Sequence, residues 1–172
     1  MLDRSRERQW RHAMDEILEI LEKNSRHSPA EIATMTGKDE AAVAAAIADY
    51  EAKNIITAYT TLINWEKTDV ERVTALIEVK VTPQRDRGFD KVAERIYGFP
   101  EVKACYLMSG GFDLTVVIEG KTMKEVALFV AEKLAPIPEV NSTATHFLLK
   151  KYKDKGFVFG GQTDDDREHV IL

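Results

Sequence analysis

The spacing of apolar residues predicts that the first third of the chain is helical. A first amphipathic helix is indicated by apolar side chains at positions i, i+3, i+4 and i+7, namely Met14, Ile17, Leu18 and Leu21. Asn24 and Ser25 end it.

Two further helices are predicted by their capping residues. Ser28 is an N-cap residue, Pro29 takes the first helical position and Glu31 closes a capping box. This second helix is short, reaching about Thr34, and Gly37 breaks it. A third helix, capped by Asp39, carries a stripe formed by Val43, Ile47 and Tyr50. Three helices with a tight glycine turn favour a helix-turn-helix over a generic three-helix bundle.

From residue 71 the pattern alternates between strand and helix. Strands are predicted at Val73–Val81, Val102–Met108, Asp113–Glu119 and Val140–Leu149, and amphipathic helices at Gly88–Tyr97 and Thr122–Leu134. The order β-α-β-β-α-β is the ferredoxin-like arrangement, in which two helices cover one face of an antiparallel sheet. The predicted fold class is therefore α+β, a helix-turn-helix followed by a ferredoxin-like βαββαβ domain.

The second face of this sheet is predicted to be apolar. Its residues alternate with the core positions and include Leu76, Tyr106, Met108, Val117 and Leu148. Such a face is too apolar to remain in contact with water, so we expect a dimer formed by sheet-to-sheet packing.

The segment Met108–Glu119 joins the two middle strands through Ser109-Gly110-Gly111. Glycine enters the positive-φ region at low cost, so this segment predicts a tight reversal. The turn also places free backbone N–H groups beside the carboxylate of Asp113. Backbone amides can bind a carboxylate and an aspartate can bind an ammonium, so this turn would suit a zwitterionic ligand. The alternative is that the glycines only form the turn and Asp113 only bonds backbone.

Composition narrows the class of protein. The 172 residues are 44% hydrophobic and 31% charged, as in a soluble globular protein, and carry a net charge of −5. No apolar run is long enough to span a bilayer, and the N-terminus lacks a secretory signal. The single cysteine, Cys105, excludes an internal disulfide, and the scattered histidines argue against a metal site. We therefore expect a cytoplasmic protein without a cofactor or membrane partner.

Four motifs in order resemble one family. They are SPAEIATMTG, AIADYEAKNIITAYTTLINWE, FPEVKACYLMSGGFDLTVVIEG and VNSTATHFLLKKYK. Over roughly residues 10–150 the chain resembles the leucine-responsive regulatory protein (Lrp)/AsnC family of transcription regulators. The resemblance implies a (winged) helix-turn-helix and a RAM-type effector-sensing and oligomerisation domain. With the pattern along the chain, these are expected at 1–54 and 71–152, joined by a β linker at 55–70. After Tyr152 the pattern dissolves, so 153–172 are expected to form a mobile C-terminal tail.

The function implied by this resemblance is ligand-responsive transcription regulation. The partners would be double-stranded DNA, an amino acid or similar small effector bound between dimers, and further copies of the chain, with homodimers assembling into higher oligomers such as octamers. The effector site would comprise Met108, Ser109, Gly110, Gly111, Phe112 and Asp113, with Thr143 and Thr145 opposite. The DNA-binding surface would comprise Ser28, Lys38, Ala41, Ala42, Ala45, Ala46 and Asp49.

The predicted recognition helix departs from the family pattern in its charge. Ala46 and Asp49 stand where family members usually carry arginines, and residues 1–64 hold 8 Lys and Arg against 11 Asp and Glu. Since phosphate contacts supply most non-specific affinity, weak DNA binding is expected unless oligomerisation multiplies it. The alternative function is therefore a ligand-sensing oligomer with weak or lost DNA binding.

Two basic clusters complete the charge pattern. The arginines between Arg4 and Arg11 could reach DNA as an arm or form a solvated helix end. The run from Lys150 to Lys153 is explained by a strand end in solvent.

An enzyme is not expected. Some proteins that share this two-part resemblance act as sirohaem decarboxylases, but His146 is the only histidine that the pattern puts on the sheet face, and no nucleophile–base constellation stands out.

Overall fold

The chain divides into two compact units, Met1–Ile63 and Asn64–Leu172. The computed structural model describes residues 16–82 and 88–159. Met14 and the arginines between Arg4 and Arg11, which entered the sequence predictions, lie outside the described residues.

The first unit is helical. Its described helices are α1 (16–23), α2 (Pro29–Thr36) and α3 (Glu40–Ala52). They share a small core of buried side chains, namely Ile17, Leu21, Ile32, Ala33, Val43 and Tyr50. The predicted helix-turn-helix is confirmed. The stripe on α3 is also confirmed, although Ile47 is only partly buried against this core.

The caps of α2 follow the sequence prediction. The backbone N–H of Glu31 donates to the Ser28 hydroxyl oxygen (3.3 Å), and the N–H of Ser28 donates to the Glu31 carboxylate (2.7 Å). At the other end Gly37 is left-handed, with φ of 66°, and its N–H donates to the Ala33 carbonyl. This cap places the end of α2 at Thr36, two residues beyond the predicted end, because a left-handed glycine satisfies the last carbonyls.

We predict that Ser28→Ala lowers the free energy of unfolding of the helical unit by about 1 kcal/mol, since α2 loses its N-cap. The hydrogen bonds from the backbone and hydroxyl of Ser28 lower the pKa of Glu31. A carboxyl whose pKa is lowered on folding stabilises the fold above its ordinary pKa of 4.5, and this contribution is lost as the pH falls through the lowered value. Urea unfolding followed by circular dichroism checks both effects. Glu31→Gln should keep part of the cap and remove the pH dependence; equal stability of Ser28→Ala and wild type would contradict the prediction.

The connector between the units contains no strand in its described residues. Residues 57–64, part of the predicted β linker, have no ladder partner, and a single 3₁₀ turn follows at Trp65–Lys67. A strand requires a neighbouring edge to accept its hydrogen bonds, and the described part of the chain provides none here. Beyond the turn, the Arg72 guanidinium lies 3.7 Å from the centroid of the Trp65 ring and pairs with Glu119.

The second unit has the predicted ferredoxin-like topology. Its strands are β1 (Val73–Val81), β2 (Val102–Leu107), β3 (Leu114–Gly120) and β4 (Val140–Phe147), and its helices are α4 (Asp90–Tyr97) and α5 (Met123–Phe129), which a π-turn extends over Val130–Leu134. The sheet order is β2-β3-β1-β4, and all neighbouring pairs are antiparallel. The prediction of βαββαβ is confirmed, with element ends shifted by one or two residues.

The two faces of the sheet differ as the alternation predicts. The face toward the helices holds the buried residues Ala75, Ile77, Val79, Leu114, Val116 and Ile118. On the opposite face, Leu76 lies between Val117 of β3 and His146 of β4, and it is 40% exposed in the single chain. We call this second surface the open face.

Part of the predicted tail is ordered as a hairpin. Strands β5 (Lys153–Asp154) and β6 (Phe157–Val158) pair antiparallel around the turn residues Lys155 and Gly156. The sequence contains a two-residue turn with glycine between short strands, a hairpin signal that the prediction of a tail overlooked.

Candidate functional site

The predicted turn lies between β2 and β3. The N–H of Met108 donates to the carbonyl of Asp113 (2.8 Å), which closes a loop of four residues, Ser109–Phe112. Gly110 has φ of 147°, a conformation that side-chain-bearing residues rarely adopt. The expectation that glycine permits this reversal is therefore confirmed at Gly110.

The backbone of this loop is left with unused donors. Within the described part of the chain, the N–H groups of Ser109, Gly110, Gly111 and Phe112 make no hydrogen bond. Ser109, Gly110 and Gly111 are exposed, so these amides are available to water, to a ligand anion or to another copy of the chain.

Asp113 has the backbone-bonding role that the sequence analysis gave as the alternative, with a partner that its position in the sequence did not identify. Its Oδ2 accepts a hydrogen bond from the N–H of Val81 (2.8 Å), and its own N–H donates to the carbonyl of Val79 (3.0 Å). The register of β1 with β3 ends at Val79 and Leu114, so the carboxylate accepts the next N–H of β1 beyond the end of that ladder. The second carboxylate oxygen, Oδ1, has no hydrogen-bond partner among the described residues.

Gly110 and Gly111 should respond differently to an added methyl group. A Cβ at either position meets no atom within 4 Å, so space is not limiting, but only Gly110 has a positive φ. We predict that Gly110→Ala lowers the free energy of unfolding by about 1–2 kcal/mol through backbone strain, whereas Gly111→Ala changes it by less than about 0.5 kcal/mol. Denaturant unfolding of the two variants provides the comparison, and equal destabilisation would refute it.

A shallow groove of about 360 Å³ lies on the open face beside the turn. Phe112 connects the turn to this groove, which is also lined by Leu76, Glu78, Thr115, His146 and Leu148. His146 Nε2 lies 3.3 Å from Glu78 Oε1, which puts one polar pair on a largely apolar surface. Glu78 and Thr115 were not among the residues predicted for the open face, although strict alternation along β1 and β3 puts both of them there, beside this groove.

The structure does not bring Thr143 and Thr145 together with the turn. They pair with Val79 and Ile77, whose side chains are in the helix-covered core, so both threonines belong to that face of the sheet and are half-buried. β1 also separates β4 from β3, which places the two strands about 10 Å apart. Their inclusion in an effector site therefore requires a surface from another copy.

The predicted DNA-binding residues have different surroundings. Ala41, Ala42 and Ala45 form an exposed face of α3, whereas Ala46 packs against the helical core. Ser28 is used in the cap described above. Asp49 is bound to Lys53 (2.6 Å) within the same helix.

Within residues 16–63, few cations are left for phosphate. Residues 16–63 contain four Lys and Arg against eight Asp and Glu. The Lys38 ammonium is held by Glu16 of α1 (2.8 Å), which weakens it as a phosphate ligand. The acidic character expected from the sequence thus extends over the described surface of the helix-turn-helix.

Cys105 and His146 lie where the strand pattern predicts them. Cys105 packs against the core, and burial raises the pKa of its thiol. His146 lies on the sheet face, as predicted. Within 16–82 and 88–159 no helix is long and apolar enough to cross a membrane.

Comparison with known proteins adds two family matches. Residues 74–157 match the Lrp/AsnC ligand binding domain, and residues 16–57 match a winged helix-turn-helix DNA-binding domain. The match to the ligand binding domain ends within the β5–β6 hairpin, so the family's domain includes the first five residues, 153–157, of the segment predicted to be a tail.

Individual proteins agree with these matches. The chain is 51% identical to YugG of Bacillus subtilis, an uncharacterized HTH-type transcriptional regulator, over 158 residues that cover 91% of this chain and 94% of YugG. It is 33% identical to the HTH-type transcriptional regulator LrpA of Pyrococcus horikoshii over 80% of this chain and 94% of LrpA. Its fold is similar to that of a transcriptional regulator of Neisseria meningitidis solved as an L-Met complex, with a TM-score of 0.68 and 21% identity over 90% of this chain and 94% of the other.

Proposed function

This chain belongs to the Lrp/AsnC family and is a ligand-responsive transcription regulator, and from that premise we propose that its effector is an amino acid bound at the Ser109–Asp113 turn between dimers. The observation that supports this effector site is the chemistry of the turn. Four backbone N–H groups without partners in the described chain lie next to a carboxylate with one free oxygen. The amides would bind the carboxylate of the amino acid, and Asp113 Oδ1 would bind its ammonium.

The open face supports a dimer as the unit of assembly. Its exposed apolar residues include Leu76 (40% exposed), Tyr106 (56%), Met108 (42%) and Leu148 (39%). A contiguous apolar surface with strand alternation is typical of sheet-to-sheet association. Because Phe112 lines the groove on this face, the effector turn and the dimer surface adjoin one another.

Effector binding would act on DNA through the assembly. An amino acid that contacts two dimers favours the oligomer in which its site is complete, and so changes which helix-turn-helix units are presented together. This coupling matters here because an acidic helix-turn-helix has low affinity for DNA by itself, whereas several of them joined in one oligomer add their contacts. The L-Met complex of the similar Neisseria regulator supports an amino acid as the class of effector.

The experiment is a titration of the full chain with each amino acid separately, followed by thermal melting and sedimentation. At about 100 times Kd a ligand stabilises the folded state by about 2.7 kcal/mol, which corresponds to a rise in Tm of roughly 5–10 °C for a chain of this size. A gel shift at low salt with the DNA upstream of the protein's own coding sequence then tests the regulatory step. The proposal fails if no amino acid changes either Tm or oligomer mass.

A further inference from the structure

A basic hairpin, defined here as residues 150–158, stands out from the charge of the rest of the chain. It contains Lys150, Lys151, Lys153 and Lys155 and a single acidic residue, Asp154. In a protein of net charge −5, this is a local concentration of cations. Its side chains are exposed apart from those of Lys151 and Asp154, which are half-buried.

Most of this charge is not neutralised within the described chain. The Lys151 ammonium pairs with Asp154 (2.9 Å) and lies 5.2 Å from the centroid of the Phe159 ring. The Lys150 ammonium lies 5.0 Å from the Tyr152 ring, and Lys153 and Lys155 have no ion pair among the described residues. Among the described residues, three ammonium groups per protomer therefore have no acidic partner and can meet an anion.

The tip of the hairpin has an unusual residue. Lys155 has φ of 46° and Gly156 has φ of 87°, the left-handed pair that a two-residue hairpin turn requires. Glycine, asparagine and aspartate are the residues that favour the first of these positions, and a lysine there costs about 1 kcal/mol. The chain accepts this strain and thereby carries a cation at the exposed end of the ribbon.

The hairpin is fixed to the start of its own unit. The side-chain amide of Asn64 donates to the carbonyl of Phe159 (3.4 Å), and the N–H of Phe159 donates to the carbonyl of Tyr152 (2.9 Å). Asn64 is the first residue of the second unit, directly after the helix-turn-helix unit in the chain. The basic ribbon is thus attached at the residue through which the DNA-binding unit is tethered.

We propose that the basic hairpin binds the phosphate backbone of the DNA that the regulator binds. The proposal rests on the DNA-binding function stated above. The hairpin supplies the cations that residues 16–63 lack, since that segment has twice as many acidic as basic residues. A two-stranded ribbon is narrow enough to follow a groove of DNA, and lysines on it form sequence-independent contacts with phosphates.

Charge favours DNA over a second copy of the chain as the occupant. The hairpin also exposes Phe157 (53%) and Val158 (71%), which could pack on another protomer. Such an apolar contact would remove three uncompensated ammonium groups from water, and an unpaired buried charge is strongly destabilising. Phosphates neutralise the same groups and release counterions.

The test compares two triple variants with equal charge change. Lys150→Gln, Lys153→Gln and Lys155→Gln together neutralise the hairpin, and Lys91→Gln, Lys121→Gln and Lys124→Gln neutralise three exposed lysines at or beside the helices of the same unit. Binding of a mixed-sequence DNA duplex is measured by anisotropy over a range of salt concentrations. The hairpin variant should bind about 10- to 100-fold more weakly at low salt, and its salt slope should be smaller by up to about 3 per bound protomer.

Each other outcome has a distinct meaning. Equal behaviour of the two triple variants would overturn the hairpin contact while leaving the regulator's DNA binding intact. A loss of oligomer mass confined to the hairpin variant, measured by sedimentation without DNA, would overturn it in favour of contact between copies. Failure of the wild-type chain to bind the duplex at any salt concentration would overturn both this proposal and the DNA-binding function on which it rests.

Discussion

Replacing Asp113 by alanine is expected to abolish the response to an amino acid effector and to lower the free energy of unfolding by about 2 kcal/mol. Two separate contacts are lost. The N–H of Val81 loses its charged acceptor at 2.8 Å, and the proposed ammonium site loses its carboxylate. Because the alanine variant changes stability and binding together, it cannot by itself assign the residue to effector recognition.

Asp113→Asn separates the two roles. Its side-chain oxygen can still accept the hydrogen bond from Val81, so the loss of stability should be below about 1 kcal/mol, but the negative charge is gone. Both variants should therefore lose the ligand-induced rise in Tm, while only the alanine variant unfolds at clearly lower denaturant concentration. Denaturant unfolding and ligand titration of both chains measure the two effects.

A third chain provides the control for this comparison. Glu78→Gln removes a carboxylate from the adjoining groove without touching the Asp113 hydrogen bonds. It should retain the amino acid response. If Asp113→Asn still responds to the effector as the wild type does, Asp113 serves the fold alone, and the turn's amides lose their proposed counterpart.

Replacing Leu76 by lysine is expected to dissociate the proposed dimer while each chain stays folded. Leu76 is 40% exposed in the single chain, so a lysine can extend into solvent there without disturbing the core. In a dimer formed through the open face the same ammonium would be buried against apolar residues, at a cost of several kcal/mol. We expect dimerisation to weaken by at least about 100-fold, since 1.4 kcal/mol corresponds to a factor of ten.

The matched control for Leu76 lies on the opposite side of the unit. Leu128 of α5 is 43% exposed, so Leu128→Lys makes the same chemical change on a helix surface. Sedimentation should give a monomer for the Leu76 variant and an unchanged assembly for the Leu128 variant. DNA affinity should fall for the Leu76 variant and not for the Leu128 variant, because two linked helix-turn-helix units bind more tightly than one. A Leu76→Lys chain of wild-type mass would exclude the open face as the dimer surface.

Sequence reasoning was most accurate where the governing interactions are local. The Ser28 cap, the end of α2 at Gly37 and the alternation along β1 each depend on residues within a few positions of one another. It was least accurate at the chain's end, where the hairpin at Lys153–Val158 was expected to be an unstructured tail. Two-residue strands give almost no periodicity, so only the turn glycine carried a signal there.

The sequence by itself determined the order of helices and strands, the alternation that gives the sheet a core face and an open face, and the acidic character of the helix-turn-helix. Only the tertiary structure decided that Asp113 bonds Val81, 32 residues away, and that Lys38 is held by Glu16, 22 residues away. Periodicity and capping act over a turn of helix or a strand, whereas these contacts depend on how distant segments pack, which local pattern does not encode.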